Sequence, residues 1–301
     1  MTQAEIHSDI WKNIRRIEIS TRRLVDQLLS GQYVSVFKGL GLEFEEVRPY
    51  LEGDDERHID WNVTARTGQV HVKRYIEERE LSLFLLVDIS PSVYFGSRQR
   101  LKLDLAIEFA AIMAFSALRN NDRVGLLLFD SEVRKVIPPR KGRRHALRVI
   151  RELVSTLQVP RPAASDKIHT DLGNALHYVN QILHRRGIIF VLSDFLDAGN
   201  LFPLKVLNRR HECIAVRLQD PLESEIPAAG WVRLEDPETG KQQLWNFSSA
   251  RVREEFAERA IAREAALNEQ FRRMNVDQVL LETSTESVWK ALVKFYQRHK
   301  A

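Results

Sequence analysis

With 301 residues the chain can fill one generous core plus an appendage, because single hydrophobic cores stop growing at about this length. Its 44% hydrophobic and 29% charged residues are ordinary for a globular protein and exclude a disordered or fibrous chain. A net charge of +4 is too slight a bias for a dedicated nucleic-acid binder, and the single cysteine excludes an internal disulfide.

The N-terminus, beginning Met1-Thr2-Gln3-Ala4, lacks the basic start and apolar core of a secretion signal. No apolar stretch approaches the ~20 residues needed to span a bilayer, so a cytoplasmic location is expected. Residues 5–29 carry Ile6, Ile10, Ile14, Ile17, Leu24 and Leu28 at largely helical spacing and predict an amphipathic helix. From Gly31 to Arg79 the texture becomes glycine-punctuated, β-branched and aromatic, which predicts short strands and turns. Residues 1–80 therefore read as an N-terminal helix and β-containing extension. Within it, Gly53-Asp54-Asp55 is a plausible turn, and Arg48, Arg57 and Arg66 can pair with carboxylates to fix the extension onto the main domain. Trp61 is expected to be a packed anchor.

From residue 81 to 301, strands alternate with helices. Leu81 to Asp88 is a nearly continuous apolar run ending in a carboxylate, as a central strand buried on both faces requires. A helix over Leu101 to Leu118 follows, then Arg123 to Phe129 and Val133 to Ile137, joined tightly through Asp130-Ser131-Glu132 as a hairpin. Next come a helix over Arg143 to Leu157, a proline-containing loop and a helix starting near Thr170. Gly187 to Ser193 is a second apolar strand, ending at Asp194, and His211 to Leu218 a third. Residues 231–246 read as an inserted hairpin around Asp236-Pro237-Glu238-Thr239-Gly240. A long charged helix over Ser249 to Met274, a strand over Gln278 to Glu282 and a helix over Glu286 to Arg298 complete the pattern. The fold class expected is α/β: a doubly wound, mostly parallel sheet with helices on both faces, of Rossmann type. Such sheets bind ligands beyond the carboxyl ends of their strands, where strand order reverses.

Those ends hold the most suggestive chemistry. Asp88, Ser90 and Ser92 occur at alternate positions after the first strand, so an extended loop points one carboxylate and two hydroxyls the same way. Thr170 precedes its helix and Asp194 ends its strand, and both can reach the same crevice if the two strands are neighbours. All five offer oxygen, the ligand type of Mg²⁺, with Mn²⁺ or Ca²⁺ as alternatives; two carboxylates with neutral hydroxyls leave the ion electron-poor and open to a carboxylate from a partner. Taken singly, Asp-x-Ser-x-Ser is a common capping or turn sequence, Thr170-Asp171 a good helix start, and Ser193-Asp194 an ordinary strand end. Their conjunction at the ends of predicted central elements is what points to metal binding.

The set Asp88, Ser90, Ser92, Thr170 and Asp194 resembles the metal-ion-dependent adhesion site of von Willebrand factor A domains, with no position missing. The alternation after residue 81 resembles that fold as well. Upstream, the segment from Phe44 to Trp61, with Thr64-Ala65-Arg66, resembles the hallmark stretch of the bacterial family of unknown function numbered fifty-eight; the likeness spans about residues 30–298. That resemblance implies an adaptor acting beside a MoxR-type AAA+ ATPase in chaperone-like maturation of client proteins, with the ATPase or its client bound through the metal. Longer relatives carry membrane helices and an extra β domain, for which this sequence shows no counterpart. Consistent with nucleotide hydrolysis by a partner, the chain has no Gly-x-x-x-x-Gly-Lys-Ser/Thr phosphate loop, and Gly39-Leu40-Gly41 has neither a third glycine nor a preceding strand.

Two alternatives stand beside this non-enzymatic reading. Asp88 could be the nucleophile of a haloacid-dehalogenase-like phosphohydrolase, but the place of that family's second, acid-base aspartate is taken by Ser90. The basic cluster over residues 134–151 could bind nucleic acid, yet it lacks interleaved aromatics for base stacking, and no nucleic-acid partner is expected. His177 and His184 are expected to be surface or packing residues, His169 to line the rim of the site, and Cys213 to be a buried apolar residue.

Overall fold

The computed structural model describes residues 42–77, 81–98, 100–156, 170–196, 199–236, 240–284 and 288–298. The helix expected over 5–29, and His169, lie outside them. Strands β1 (Leu42–Pro49) and β2 (His71–Glu77) pair antiparallel into a small sheet of their own. Between them a turn leads to helix α1 (Trp61–Thr67), which the strand-and-turn reading of this stretch does not include. Asp60 starts it: this carboxylate accepts from the backbone N–H of Asn62 and Val63, satisfying two donors that the first turn leaves open, and Gly68 ends it in the left-handed conformation.

The helix also corrects the expectation for Trp61. As its first residue, this side chain is 69% exposed and is not a packed anchor. Arg48 makes the expected carboxylate pair, but locally: both its terminal nitrogens reach Asp54, at 2.8 and 2.7 Å, closing the Gly53 turn and not the contact with the main domain. Arg57 and Arg66 are exposed, with no ion pair among the described residues.

The main sheet has six strands: β3 (Ser82–Asp88), β4 (Arg123–Phe129), β5 (Val133–Arg140), β6 (Ile188–Ser193), β7 (Glu212–Gln219) and β10 (Asp277–Glu282), in the order β10-β7-β6-β3-β4-β5. Every neighbouring pair is parallel except β4 with β5, the expected hairpin. The pleat sends alternate residues of β3 to opposite faces. Leu83, Leu85 and Val87 join one core with helices α2 (Lys102–Arg119), α3 (Arg143–Thr156) and α7 (Val288–Arg298). Phe84 and Leu86 join the other core, under α4 (Leu172–Ile182), α5 (Phe202–Asn208) and α6 (Ala250–Met274). Burial on both faces is why β3 and β6 read as unbroken apolar runs. The inserted hairpin forms as expected, from β8 (Trp231–Glu235) and β9 (Gln242–Asn246).

This topology creates one switch point. The chain leaves β3 through α2 on one face toward β4, and leaves β6 through α5 on the other face toward β7, so the connections diverge above the adjacent ends of β3 and β6. Among the described residues no helix is long and apolar enough to cross a membrane.

Candidate functional site

Each of the four central parallel strands is followed by, or ends in, an aspartate at its carboxyl edge: Asp88 on β3, Asp130 after β4, Asp194 after β6 and Asp220 after β7, all buried. Two of them have settled structural roles. Asp130 accepts from both the backbone N–H of Glu132 and the Arg134 guanidinium, fixing the β4–β5 turn. Asp220 accepts from the backbone N–H groups of Ser97 and Leu222 and from the Thr283 hydroxyl. Burial alone would raise the Asp220 pKa, but these donors outweigh it and hold the carboxyl below its ordinary range.

Asp88 is different. Its side chain is fully buried at the switch point, where one oxygen accepts from the Ser90 backbone N–H at 2.9 Å and the other from the Ser193 hydroxyl at 2.6 Å. Burial, then the neighbouring Asp194 charge, pushes its pKa up to about 7 despite those donors. The loop beyond it is extended at Ser90 and turns through a short 3-10 helix, Pro91–Tyr94, whose first residue is a proline that has no N–H to satisfy. That geometry brings the Ser90 and Ser92 hydroxyls within 3.0 Å of each other, both buried. The alternation expected to align Asp88, Ser90 and Ser92 thus does converge them, with the turn completing what extension begins.

Asp194 follows β6, the direct neighbour of β3, one residue beyond the Ser193 that bonds Asp88. Its own carboxylate is turned to other partners: one oxygen accepts from the Leu196 N–H at 3.2 Å and the other from the Lys102 ammonium at 2.6 Å. Thr170 is half-buried and precedes Asp171, the cap of α4, whose N–H donates to the Asp130 carbonyl at 2.9 Å. Thr170 therefore stands at the carboxyl end of β4, on the other side of β3 from Asp194. All five candidate residues lie along one edge of the sheet; hydrogen bonds draw Asp88, Ser90 and Ser92 into one cluster, with Asp194 beside it.

Sequence reasoning did not find Lys102, Glu223 or Ser193. Lys102 is the first residue of α2 and has no exposed surface, and its ammonium bridges Asp194 and Glu223 at 2.6 Å each. Burial disfavours its charge, but the two carboxylates outweigh burial and hold its pKa above the ordinary lysine value. Glu223 is pushed up by burial, in spite of Lys102. One signal was available: a lysine in the first turn faces the positive end of the helix dipole and needs an anion nearby.

The donor set fits a hard cation. One ammonium serves two carboxylates, Asp194 and Glu223, while the fully buried Asp88 carboxylate is held by the Ser193 hydroxyl and the Ser90 N–H, and the Ser90 and Ser92 hydroxyls lie in the same loop. The described residues contain no group of three or more His, Cys, Asp or Glu arranged around one point, so any ion here would rely on serine oxygens for part of its shell.

The remaining candidates sit as follows. His177 and His184 are exposed, and Cys213 is buried with its thiol pushed far up by burial, as a core residue should be. The basic stretch is divided: Arg134 is tied to Asp130 and Lys135 to Glu152, while Arg144, Arg148 and Arg151 lie exposed along α3.

Several known proteins are similar to this chain. An uncharacterized protein of Mycobacterium bovis is 34% identical over 284 residues, covering 94% of this chain and 87% of its own. A Bacillus subtilis protein called YeaD is 29% identical over 107 residues, 36% of this chain and 25% of its own. Among solved structures, the BatB protein from Bacteroides thetaiotaomicron is similar with TM-score 0.42 at 13% identity, over 73% of this chain and 98% of that one. The SpRpn10 VWA domain gives TM-score 0.36 at 11% identity, over 71% and 95%. The family model described as "Protein of unknown function DUF58" matches residues 46–266, and the chain belongs to that family.

Proposed function

We propose that this chain is a metal-ion-dependent protein-binding module and not an enzyme. A divalent cation, Mg²⁺ first and Mn²⁺ or Ca²⁺ as substitutes, would be held by Asp88, Ser90 and Ser92, with Thr170 and Asp194 at its margins. The observation that carries the reading is the buried Asp88 carboxylate beside two hydroxyls 3.0 Å apart, at the one place where the sheet's connections diverge. A bound ion would supply a Lewis-acidic position that accepts a carboxylate from another protein. The side chains themselves do the rest: Ser193 and the Ser90 N–H orient Asp88, and the 3-10 turn presents both serines. The family resemblance supports a MoxR-type AAA+ ATPase, or its client, as that other protein.

The test has two parts. Mn²⁺ titration followed by electron paramagnetic resonance should show one bound ion in the native chain and none in Asp88→Asn. Recovery of the AAA+ ATPase from native extract should require Mg²⁺ and be lost with Asp88→Ala. Equal recovery with Mg²⁺, with chelator and with the variant would remove the mechanism.

A further inference from the structure

Lys102 is the unexpected member of the cluster. A fully buried lysine at the positive end of a helix is doubly disfavoured, by desolvation and by the helix dipole. It is kept there by two carboxylates from separate parts of the chain: Asp194 after β6 and Glu223 in the 3-10 turn after β7. Glu223 is itself positioned, its second oxygen accepting the Asp220 N–H at 3.1 Å while Asp220 caps the same turn. The ammonium is therefore built in, not an exposed side chain that happened to fold inward.

Resting on the proposed cation site, we infer that Lys102 is its resident competitor: the ammonium holds Asp194 in an ion pair shared with Glu223 and so withholds that carboxylate from a divalent ion. Asp88, Ser90 and Ser92 form the half of the site left open to the ion, and Asp194 joins only when Lys102 gives it up to keep Glu223 alone. A lysine bound to two acids can make that exchange without being left unpaired, which is what Glu223 contributes. Lys102 thus acts through Asp194 as a positioning residue, setting how tightly the site takes its ion.

The experiment is Mn²⁺ binding to the full chain by calorimetry, comparing native protein, Lys102→Met, Lys102→Met/Glu223→Gln and Asp88→Asn, each checked for native circular dichroism. The single variant strands two buried acids, so the double variant is the decisive one: it removes one cation and one anion together, leaving the formal charge of the cluster unchanged while releasing Asp194. Binding at least about tenfold tighter than native supports the inference, whereas damage to packing would lower affinity and not raise it. If native protein binds Mn²⁺ in a manner lost with Asp88→Asn and the double variant binds no tighter, the competitor role is overturned and the metal site stands. If native binding survives Asp88→Asn, the ion lies elsewhere and both ideas fall. Binding by the double variant alone supports the competitor role in its strongest form. Absence of binding in every folded variant overturns both.

Discussion

His211 precedes β7 at the opposite end of the sheet to the acidic cluster and is 3% exposed, and neither ring nitrogen has a hydrogen-bond partner among the described residues. Burial, and then the nearby Arg210 and Arg186 charges, lower its pKa from 6.5 to about 4. Between those values the unfolded chain binds the proton and the folded chain does not, so this residue's contribution is complete above pH 6.5 and is lost as pH falls toward 4. Urea unfolding at pH 7 and pH 5 should show a larger stability difference in the native protein than in His211→Leu. The leucine variant should also gain about 1 kcal/mol at pH 7, since an unsatisfied buried polar group costs about 1–3 kcal/mol. A pH difference unchanged by the substitution would mean that other groups carry it.

Elements depend on close fits that single residues permit. Gly125 lies opposite Phe84 in the β3–β4 register, and a Cβ at that glycine would sit 2.6 Å from the Phe84 ring and 3.0 Å from the Ile137 carbonyl oxygen. The ring occupies the space the glycine leaves. Gly125→Ala should therefore lower stability by about 1–3 kcal/mol, measured by denaturant midpoint, and Phe84→Leu in the same chain should recover part of the loss. The cap of α1 makes a second test. Asp60→Ala removes the acceptor for two first-turn N–H groups and should cost about 0.5–2 kcal/mol, whereas Asp60→Asn keeps the acceptor oxygen and should cost less. If the two substitutions cost the same, the Lys73 pair at 3.5 Å, and not the cap, is what Asp60 supplies.

At the scale of the molecule, the described residues form a six-stranded sheet buried on both faces, the β8–β9 hairpin and a separate two-stranded sheet of β1 and β2. Amides of β3 and β6 are enclosed by two cores, so they should exchange with solvent only on global unfolding, while those of β1 and β2 should exchange through a cheaper local opening. Hydrogen exchange by mass spectrometry checks this, and equal protection would mean that the small sheet unfolds with the whole. Added Mg²⁺ at about 100 times its dissociation constant should stabilise the chain by about 2.7 kcal/mol, a rise of several degrees in Tm that Asp88→Asn abolishes.

How much of this was readable beforehand follows from how far each interaction reaches along the chain. Strands buried on both faces need uninterrupted apolar runs, so β3, β6 and β7 were legible as sequence, and with them the parallel sheet and its carboxyl edge. The Asp88-Ser90-Ser92 convergence was legible because its partners lie two residues apart. Local spacing also allows α1, but its alternating apolar residues did not distinguish it from strand, and Trp61 was misjudged because an aromatic side chain carries no record of which face it will occupy. Ser193 on Asp88 spans 105 residues, Lys102 on Asp194 spans 92, and Lys102 on Glu223 spans 121. Nothing local specifies these three contacts. They exist because folding brings the ends of β3, β6 and β7 side by side, and in the low dielectric created there a lysine pairs with two acids and a third acid takes a hydroxyl.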